Sequence, residues 1–179
     1  MRDEIRNIPI DWRDPFSVGR FIVAMSLVED RAEMDTATGA MDIEPGSTGH
    51  CRVTARETSV VAGWFLLEQV FDHLASRSAH ESPLCRQITG EGQVAVQGST
   101  IGLIEGHPGI LLRGERVALN LLGRLSGIAT LTSSYVRSVK DRGVEILDTR
   151  KTTPCLRALE KYAVRMGGGV NHRFDLEEL

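Results

Sequence analysis

The fold is decided by the stretch Asp148-Thr149-Arg150-Lys151-Thr152-Thr153-Pro154 and, a helix's length later, by Gly167-Gly168-Gly169-Val170-Asn171-His172-Arg173. The apolar residues that precede the first stretch predict a β-strand over 144–149. Arg150 and Lys151 then lie at the C-terminal end of that strand. A second strand is expected to begin near Val170, and a histidine and an arginine follow the glycines that end the intervening helix.

A helix is predicted over 154–166, between the two stretches. Thr152 or Thr153 is a suitable N-cap residue, and Pro154 suits the first turn of a helix. Gly167 to Gly169 is a typical helix terminator. The C-terminal end of a strand that leads into a helix N-terminus is where α/β folds bind anions. The sequence therefore predicts a site for a small ligand that carries several negative charges.

Composition restricts the classes of protein to which the chain can belong. The 179 residues are 41% hydrophobic and 25% charged, which is typical of a globular domain, and the net charge is -3. A negative net charge argues against bulk affinity for nucleic acid or an anionic membrane. The charged N-terminus is unlike a signal peptide, and no apolar run approaches the ~20 residues that span a bilayer. We therefore expect a cytoplasmic protein with no nucleic acid and no membrane as partner.

Cysteine and histidine spacing predicts no metal site. The three cysteines are Cys51, Cys85 and Cys155, far apart and without a CxxC pair. This pattern indicates reduced thiols rather than a zinc site. His50, His73, His80 and His107 are scattered along the chain without the spacing of metal ligands either.

The first part of the chain, 1–112, is predicted to be an α+β sandwich domain. An amphipathic helix is expected over 15–33, with apolar residues at three- and four-residue steps. A strand kinked near Glu57 is expected over 52–62, followed by a helix over 64–75. Two further strands, 93–97 and 100–105, are separated by a Gly98-Ser99 turn signal and predict a hairpin.

The second part, 113–179, is predicted to be the start of an α/β barrel. A long helix is expected over 115–141, and the glycines at 123 and 127 predict either a break near Ser126 or a close helix contact. The strand over 144–149 and the helix over 154–166 come after it. Because a closed barrel needs about 200–250 residues, we expect this barrel to be incomplete. The predicted fold class is α/β, with a sandwich domain followed by the first barrel units.

The cationic side chains of the two stretches are the candidate ligand-binding residues. Arginine binds a carboxylate or phosphate in bidentate fashion, whereas lysine acts as a point charge. Arg150, Lys151, His172 and Arg173 together suit a ligand with two anionic groups on a rigid frame. The competing interpretation is that they are solvated surface charges paired with nearby acidic residues. Those residues would be Glu160, Asp175 and Glu177.

The chain resembles the quinolinate phosphoribosyltransferase family. Five blocks carry the resemblance in family order: Glu115 to Asn120, Leu125 to Thr130, Asp148 to Pro154, Leu159 to Val164, and Gly167 to Arg173. A looser match continues upstream to about residue 12. Cys155 stands where the family usually has glycine.

The resemblance implies a reaction. The family joins the pyridine nitrogen of quinolinate to phosphoribosyl pyrophosphate with Mg2+ and then releases the 2-carboxylate as CO2. The products are nicotinate mononucleotide and pyrophosphate, for NAD biosynthesis. Contacts for phosphoribosyl pyrophosphate and Mg2+ are expected outside this chain, which is expected to be C-terminally truncated and inactive alone.

The same resemblance implies roles for individual residues. Thr149, Arg150 and Lys151 match the triplet at the strand end that binds the substrate carboxylates. His172 and Arg173 match the histidine–arginine pair of the same pocket, and catalytic roles fall to Lys151 and His172. Arg116 matches an arginine that a neighbouring subunit inserts into the site, which implies a homodimer or higher oligomer with a shared active site.

Three alternatives remain open at this point. The chain could be one subunit of a split enzyme, completed by a second polypeptide. It could be a binding module that retains dicarboxylate affinity without catalysis. It could also be a paralogous pyrophosphorylase that acts on another aromatic acid.

Overall fold

The structure, a computed structural model, describes residues 9–44, 46–78 and 80–177 and shows five α-helices and five β-strands in that part of the chain. The helices are α1 (Pro15–Glu29), α2 (Thr36–Gly39), α3 (Trp64–Ser76), α4 (Pro108–Val139) and α5 (Arg157–Met166). The strands are β1 (Gly49–Thr54), β2 (Ser59–Val60), β3 (Leu84–Gln87), β4 (Val94–Ala95) and β5 (Thr100–Gly106). Short 3-10 turns lie at Ala32–Met34 and Lys140–Arg142. The predicted α/β class is confirmed.

The strands form two antiparallel sheets rather than the predicted arrangement. The first sheet has the order β1-β5-β3 and the second pairs β2 with β4. The predicted strand over 52–62 is therefore two strands in different sheets. The predicted hairpin is wrong, because β4 and β5 flank the turn at Gly98 but pair with other strands. β3 was not predicted.

One apolar core joins the sheets to the helices. α3 packs against α1 and α4, and the inner face of the first sheet packs on α3 through Trp64. Trp64, Leu66, Val70 and Leu125 are among its most deeply buried residues. The α1 helix begins where Asp14 accepts hydrogen bonds from the backbone of the first turn, and it ends at Glu29 rather than at 33.

The α3 helix begins with a cap supplied from a distant part of the sequence. Both oxygens of the Glu91 carboxylate accept from the backbone N–H of Gly63, at 2.9 and 3.1 Å, and one also accepts from that of Trp64 at 2.7 Å. A carboxylate at a helix N-terminus satisfies unpaired backbone donors and interacts favourably with the helix dipole. Gly63 adopts φ +97°, a conformation that glycine tolerates best.

The long helix α4 is continuous from Pro108 to Val139. The predicted break near Ser126-Gly127 is absent, and the alternative of a close helix contact at Gly123 or Gly127 is also wrong. A β-carbon built on either glycine has no described atom within 4 Å. Ser126 instead connects α4 to the loop after β2, since its Oγ accepts from Ala62 N at 3.1 Å and lies 3.3 Å from Ala62 O.

In the part of the chain that the structure describes, no helix is both long and apolar enough to cross a membrane. Cys51, Cys85 and Cys155 are free thiols, as predicted.

Candidate functional site

The site begins with a short parallel pairing of two chain segments. Leu147 and Val170 form a parallel bridge, flanked by hydrogen bonds from Val170 N to Ile146 O (2.9 Å) and from Asp148 N to Val170 O (3.1 Å). The strand predicted over 144–149 is thus limited to these few residues. Because the paired segments run parallel, the residues after each one leave at the same edge. Arg150-Lys151 and His172-Arg173 therefore leave from neighbouring positions.

Two glycines let the second segment pass close to α4. A β-carbon on Gly167 would lie 2.7 Å from Thr132 Cβ and would meet the backbone of Ala129. A β-carbon on Gly169 would lie 2.7 Å from Val164 Cγ1 and 2.9 Å from Thr132 Cγ2. The glycine terminator predicted from the sequence therefore also brings Val170 within pairing distance of Leu147.

The candidate cations differ in their environments. Arg150 is partly buried, and its Nε is a buried donor with no hydrogen-bond partner among the described residues. Lys151, His172 and Arg173 are exposed. The Thr149 side chain shapes the turn, since its Oγ1 accepts from Lys151 N at 3.1 Å. A buried guanidinium N–H without a partner is costly, so the Arg150 side chain favours an added acceptor such as a carboxylate oxygen.

The helix after the first stretch starts later than predicted. α5 begins at Arg157 with Leu156 in the N-cap position and no side-chain cap, so neither Thr152 nor Thr153 caps it. Thr152 Oγ1 accepts from Arg157 Nε at 3.3 Å, and Thr153 Oγ1 accepts from Arg124 at 2.6 Å. Both hydroxyl groups of the loop therefore bind arginine side chains and do not cap the helix. The expectation of a helix N-terminus directly beside Arg150 is therefore wrong.

The cause of the late start is the turn around Cys155. This residue adopts φ +64° and comes after Pro154 in a turn closed by a hydrogen bond from Leu156 N to Thr153 O at 3.0 Å. An L-residue in the left-handed region cannot continue a right-handed helix. The left-handed backbone at Cys155 favours glycine, the residue that the resemblance implies for this position.

All three acidic residues proposed to neutralise the cluster contact arginines outside it. Glu160 pairs with Arg124 at 2.5 Å, and Asp175 pairs with Arg13 at 2.7 Å. Glu177 lies 3.5 Å from the same Arg13 side chain.

Sequence reasoning missed Lys161. Its side chain is 2% exposed and its Nζ lies 2.7 Å from Asp148 Oδ1, at the end of the first segment. A lysine in an amphipathic helix is usually a solvated residue. The signal that could have identified it is its spacing, because Ala158 and Tyr162, three residues before and one after it, are both buried.

Arg116 lies apart from the other candidate residues. It projects from α4 with its side chain 77% exposed, 3.5 Å from Asp30. It lines a cavity of about 560 Å3 together with Arg31, Asp35 and Glu115. The structure thus brings together Thr149, Arg150, Lys151, His172 and Arg173 and leaves Arg116 on another surface of the chain.

The donor set does not fit a divalent metal ion. Over residues 9–44, 46–78 and 80–177, no group of three or more His, Cys, Asp or Glu side chains could hold one. The side chains at the candidate site are mostly cationic, which suits an anion and disfavours Mg2+.

Comparison with protein families identifies both parts of the chain. The model of the N-terminal domain of quinolinate phosphoribosyl transferase matches residues 35–126, and the model of its C-terminal domain matches residues 128–179. The two matches meet within α4.

Individual relatives agree with this result. The chain is 41% identical over 152 residues to a Synechocystis protein named "Probable nicotinate-nucleotide pyrophosphorylase (carboxylating)", covering 85% of this chain and 49% of the relative. It is 38% identical to the nicotinate-nucleotide pyrophosphorylase (carboxylating) of Mycobacterium leprae, covering 90% and 56% of the two chains. The chain spans about half the length of the curated relatives it matches.

Solved structures show the same fold. The nicotinate-nucleotide pyrophosphorylase of Francisella tularensis superposes with a TM-score of 0.82 at 29% identity, over 95% of this chain and 59% of that one. The enzyme of that name from Ehrlichia chaffeensis superposes with a TM-score of 0.77 at 34% identity, over 88% of this chain and 55% of that one.

Proposed function

Because this chain belongs to the quinolinate phosphoribosyltransferase family, we propose that it takes part in phosphoribosyl transfer to quinolinate and supplies the quinolinate carboxylate site. The observation that carries the proposal is the parallel pairing of Leu147 with Val170. It brings Arg150-Lys151 and His172-Arg173 to one edge, with the buried Arg150 Nε lacking a partner among the described residues. Thr149 shapes the turn of the first half, since its Oγ1 accepts from Lys151 N at 3.1 Å, and completes the proposed site.

The proposed reaction has two steps. The pyridine nitrogen of quinolinate attacks the anomeric carbon of phosphoribosyl pyrophosphate, and the carbon–oxygen bond to pyrophosphate breaks. The bond from the ring to the 2-carboxylate then breaks, CO2 leaves, and the ring carbon takes up a proton from water. Cations fixed around the carboxylates stabilise charge that develops as the groups leave. We assign that role to Lys151 and His172, and carboxylate binding to Arg150 and Arg173.

Mg2+ enters the proposal with phosphoribosyl pyrophosphate. The described residues offer no carboxylate cluster for it, so we propose that its protein contacts lie elsewhere and that the 179-residue chain alone is inactive. Formation of nicotinate mononucleotide by the purified chain, with no other polypeptide present, would contradict this part of the proposal.

The proposed assembly is a cytoplasmic homodimer or higher oligomer. Arg116 is 77% exposed on α4, apart from the cluster, which suits an arginine that enters the site of a second subunit. The division into a sandwich domain over 1–112 and a barrel start over 113–179 belongs to the same proposal. Cross-linking of an Arg116→Cys variant to a cysteine placed at Lys151 of a second copy tests the shared site.

A complementing polypeptide remains a second candidate because apolar side chains are exposed near the parallel pair. Leu131, Tyr135 and Leu147 are each at least half exposed. Exposed apolar groups of this kind favour a covering surface. Co-purification of a partner that restores activity would support a split enzyme, and activity from one full-length polypeptide would exclude it.

Quinolinate binding is the direct test of the site. Isothermal titration calorimetry of the chain with quinolinate should show binding that Arg150→Ala and Arg173→Ala each weaken by about tenfold or more, the effect of losing a charge-assisted hydrogen bond. The matched control is Arg52→Ala, which changes an exposed arginine of β1 in the first sheet. Absence of quinolinate binding by the unmodified chain would overturn the proposal, and equal loss in the control would overturn its assignment of residues. Binding without catalysis in the complete protein would identify a binding module.

A further inference from the structure

An ion pair between α5 and the residue that precedes Thr149 is almost fully buried. Lys161 Nζ of α5 lies 2.7 Å from Asp148 Oδ1, and the two side chains are 2% and 5% exposed. Isolated charges are rarely buried, because a buried ion loses its hydration. A buried pair is therefore weak evidence for stability, and its role has to be sought in what it holds in place.

The pair holds the backbone of residue 172 from both sides. Lys161 Nζ donates to His172 O at 2.8 Å, and His172 N donates to Asp148 Oδ1 at 2.9 Å. Asn171 adds a further link when its amide nitrogen faces the acceptors around it. In that orientation it donates to Asp148 Oδ2 at 2.9 Å and to Lys161 O at 3.0 Å.

These bonds connect the two halves of the cationic cluster. Asp148 immediately precedes Thr149-Arg150-Lys151, and His172 begins the second half. Neither Asp148 nor Lys161 is exposed enough to contact a ligand itself. The two main-chain bonds at His172 fix both where the second half leaves the parallel pair and how far it lies from the first half.

We propose that Asp148 and Lys161 are positioning residues that set the separation between Arg150-Lys151 and His172-Arg173, so that two carboxylates on adjacent ring carbons are bound at once. The inference rests on the proposed function, since it concerns the same site. A ligand with a single carboxylate needs only one half of the cluster. Loss of the pair therefore lowers selectivity for dicarboxylates more than it lowers affinity for carboxylates in general.

The test compares quinolinate with picolinate, which has only the 2-carboxylate, in calorimetric titrations of the Asp148→Leu/Lys161→Met variant. Removing both charges leaves no unpaired buried ion, so the fold is expected to survive. We expect quinolinate affinity to fall by about tenfold or more and picolinate affinity to change by about twofold or less, the scale of losing one of two charge-assisted contacts. The matched control is Val70→Ala, in the core of α3, which lowers stability and leaves the affinity ratio unchanged.

An unchanged ratio in the folded double variant would overturn the inference, as would an equal fall in the control. If the double variant does not fold, Asn171→Ala decides in its place, because it removes only the amide links. In that variant, a lowered ratio of quinolinate to picolinate affinity supports the inference, and an unchanged ratio contradicts it.

Hydrogen exchange separates this inference from the proposed function. If the unmodified chain does not bind quinolinate, the proposed function fails. Amide exchange then tests, in the absence of ligand, whether the ion pair holds the two halves of the cluster together. Exchange of the His172 amide should be faster in the double variant than in Val70→Ala. Equal exchange at that amide would show that the ion pair does not hold the second half.

Discussion

The indole ring of Trp64 occupies the space that a β-carbon on Gly102 would need. Trp64 is 2% exposed and begins α3, while Gly102 lies in β5, the central strand of the first sheet. The absence of a side chain at Gly102 therefore sets the distance between that helix and the sheet.

Substitution of Gly102 by alanine should destabilise the chain. The added methyl group overlaps the buried indole ring, and overpacking a well-packed core costs about 1–3 kcal/mol. Urea denaturation followed by tryptophan fluorescence measures the change. Gly39→Ala is the matched control, because no described atom lies within 4 Å of a β-carbon there. Equal stability of the two variants would mean that the ring does not lie against the strand.

Substitution of Cys155 by glycine should stabilise the chain. Cys155 adopts φ +64°, and the left-handed conformation costs an L-residue about 1–2 kcal/mol, offset in part by the greater entropy of glycine in the unfolded state. We expect a net gain of about 0.5–1 kcal/mol in the free energy of unfolding. Cys155→Ala is the control, since it removes the thiol and keeps the strain. A gain of the same size in the alanine variant would assign the effect to the thiol.

Alanine at Gly123 and at Gly127 should each stabilise α4. Both glycines are exposed in an unbroken helix, with no described neighbour for an added methyl group. Glycine in a helix interior is less favourable than alanine by about 1 kcal/mol. Thermal unfolding followed by circular dichroism should show a higher Tm for each variant, whereas Gly114→Ala, which meets the Phe71 ring at 2.7 Å, should lower it. A lower Tm for Gly123→Ala would indicate a bend in the helix at that point.

The first turn of α4 should lose stability as the pH falls. His107 Nδ1 accepts from Gly109 N at 3.2 Å, which requires an unprotonated nitrogen. The pKa of His107 lies below 6.5 because burial, the stacked His80 ring and Arg113 all disfavour the imidazolium. The unfolded chain then binds the proton more readily, so this contribution is complete above pH 6.5 and is lost as the pH falls from there through the lower folded-state pKa.

Chemical denaturation at a series of pH values measures this dependence. The His107→Ser variant retains an N-cap residue that does not titrate, so its stability should fall less steeply below pH 6.5 than that of the unmodified chain. Parallel pH profiles of the two proteins would show that His107 does not contribute to the pH dependence of stability.

Local patterns predicted the helices and the positions of the turns better than they predicted strand pairing. The turn at Gly98 is real, but a turn signal does not specify which strands pair, and β5 pairs with β1 and β3, which are distant from it in sequence. β3 escaped prediction because its exposed and partly buried residues, Leu84 to Gln87, lack a clear apolar alternation.

The charged residues of the candidate site could be predicted from the sequence. The buried contacts that hold them in position could not. Arg150 and Lys151 stand out because they follow a predicted strand, and His172 and Arg173 because they follow a predicted helix terminator. The contact of Lys161 with Asp148 depends on how α5 is oriented against the parallel pair, and residue spacing does not determine that orientation. The late start of α5 likewise depends on the backbone conformation of Cys155.

The unbroken course of α4 has a consequence for changes of length. Arg116 and Arg124 lie on this helix eight residues apart, and Arg124 contacts both Thr153 and Glu160 next to the candidate site. Each residue inserted into an α-helix turns the remainder of the helix by about 100° and shifts it by about 1.5 Å. Deletion of one residue between the two arginines would therefore rotate the surface that bears Arg116 away from its present direction while the site stayed intact. The helix can accept many substitutions at its exposed positions. The number of residues between Arg116 and Arg124 cannot change without changing the relative direction of the two side chains.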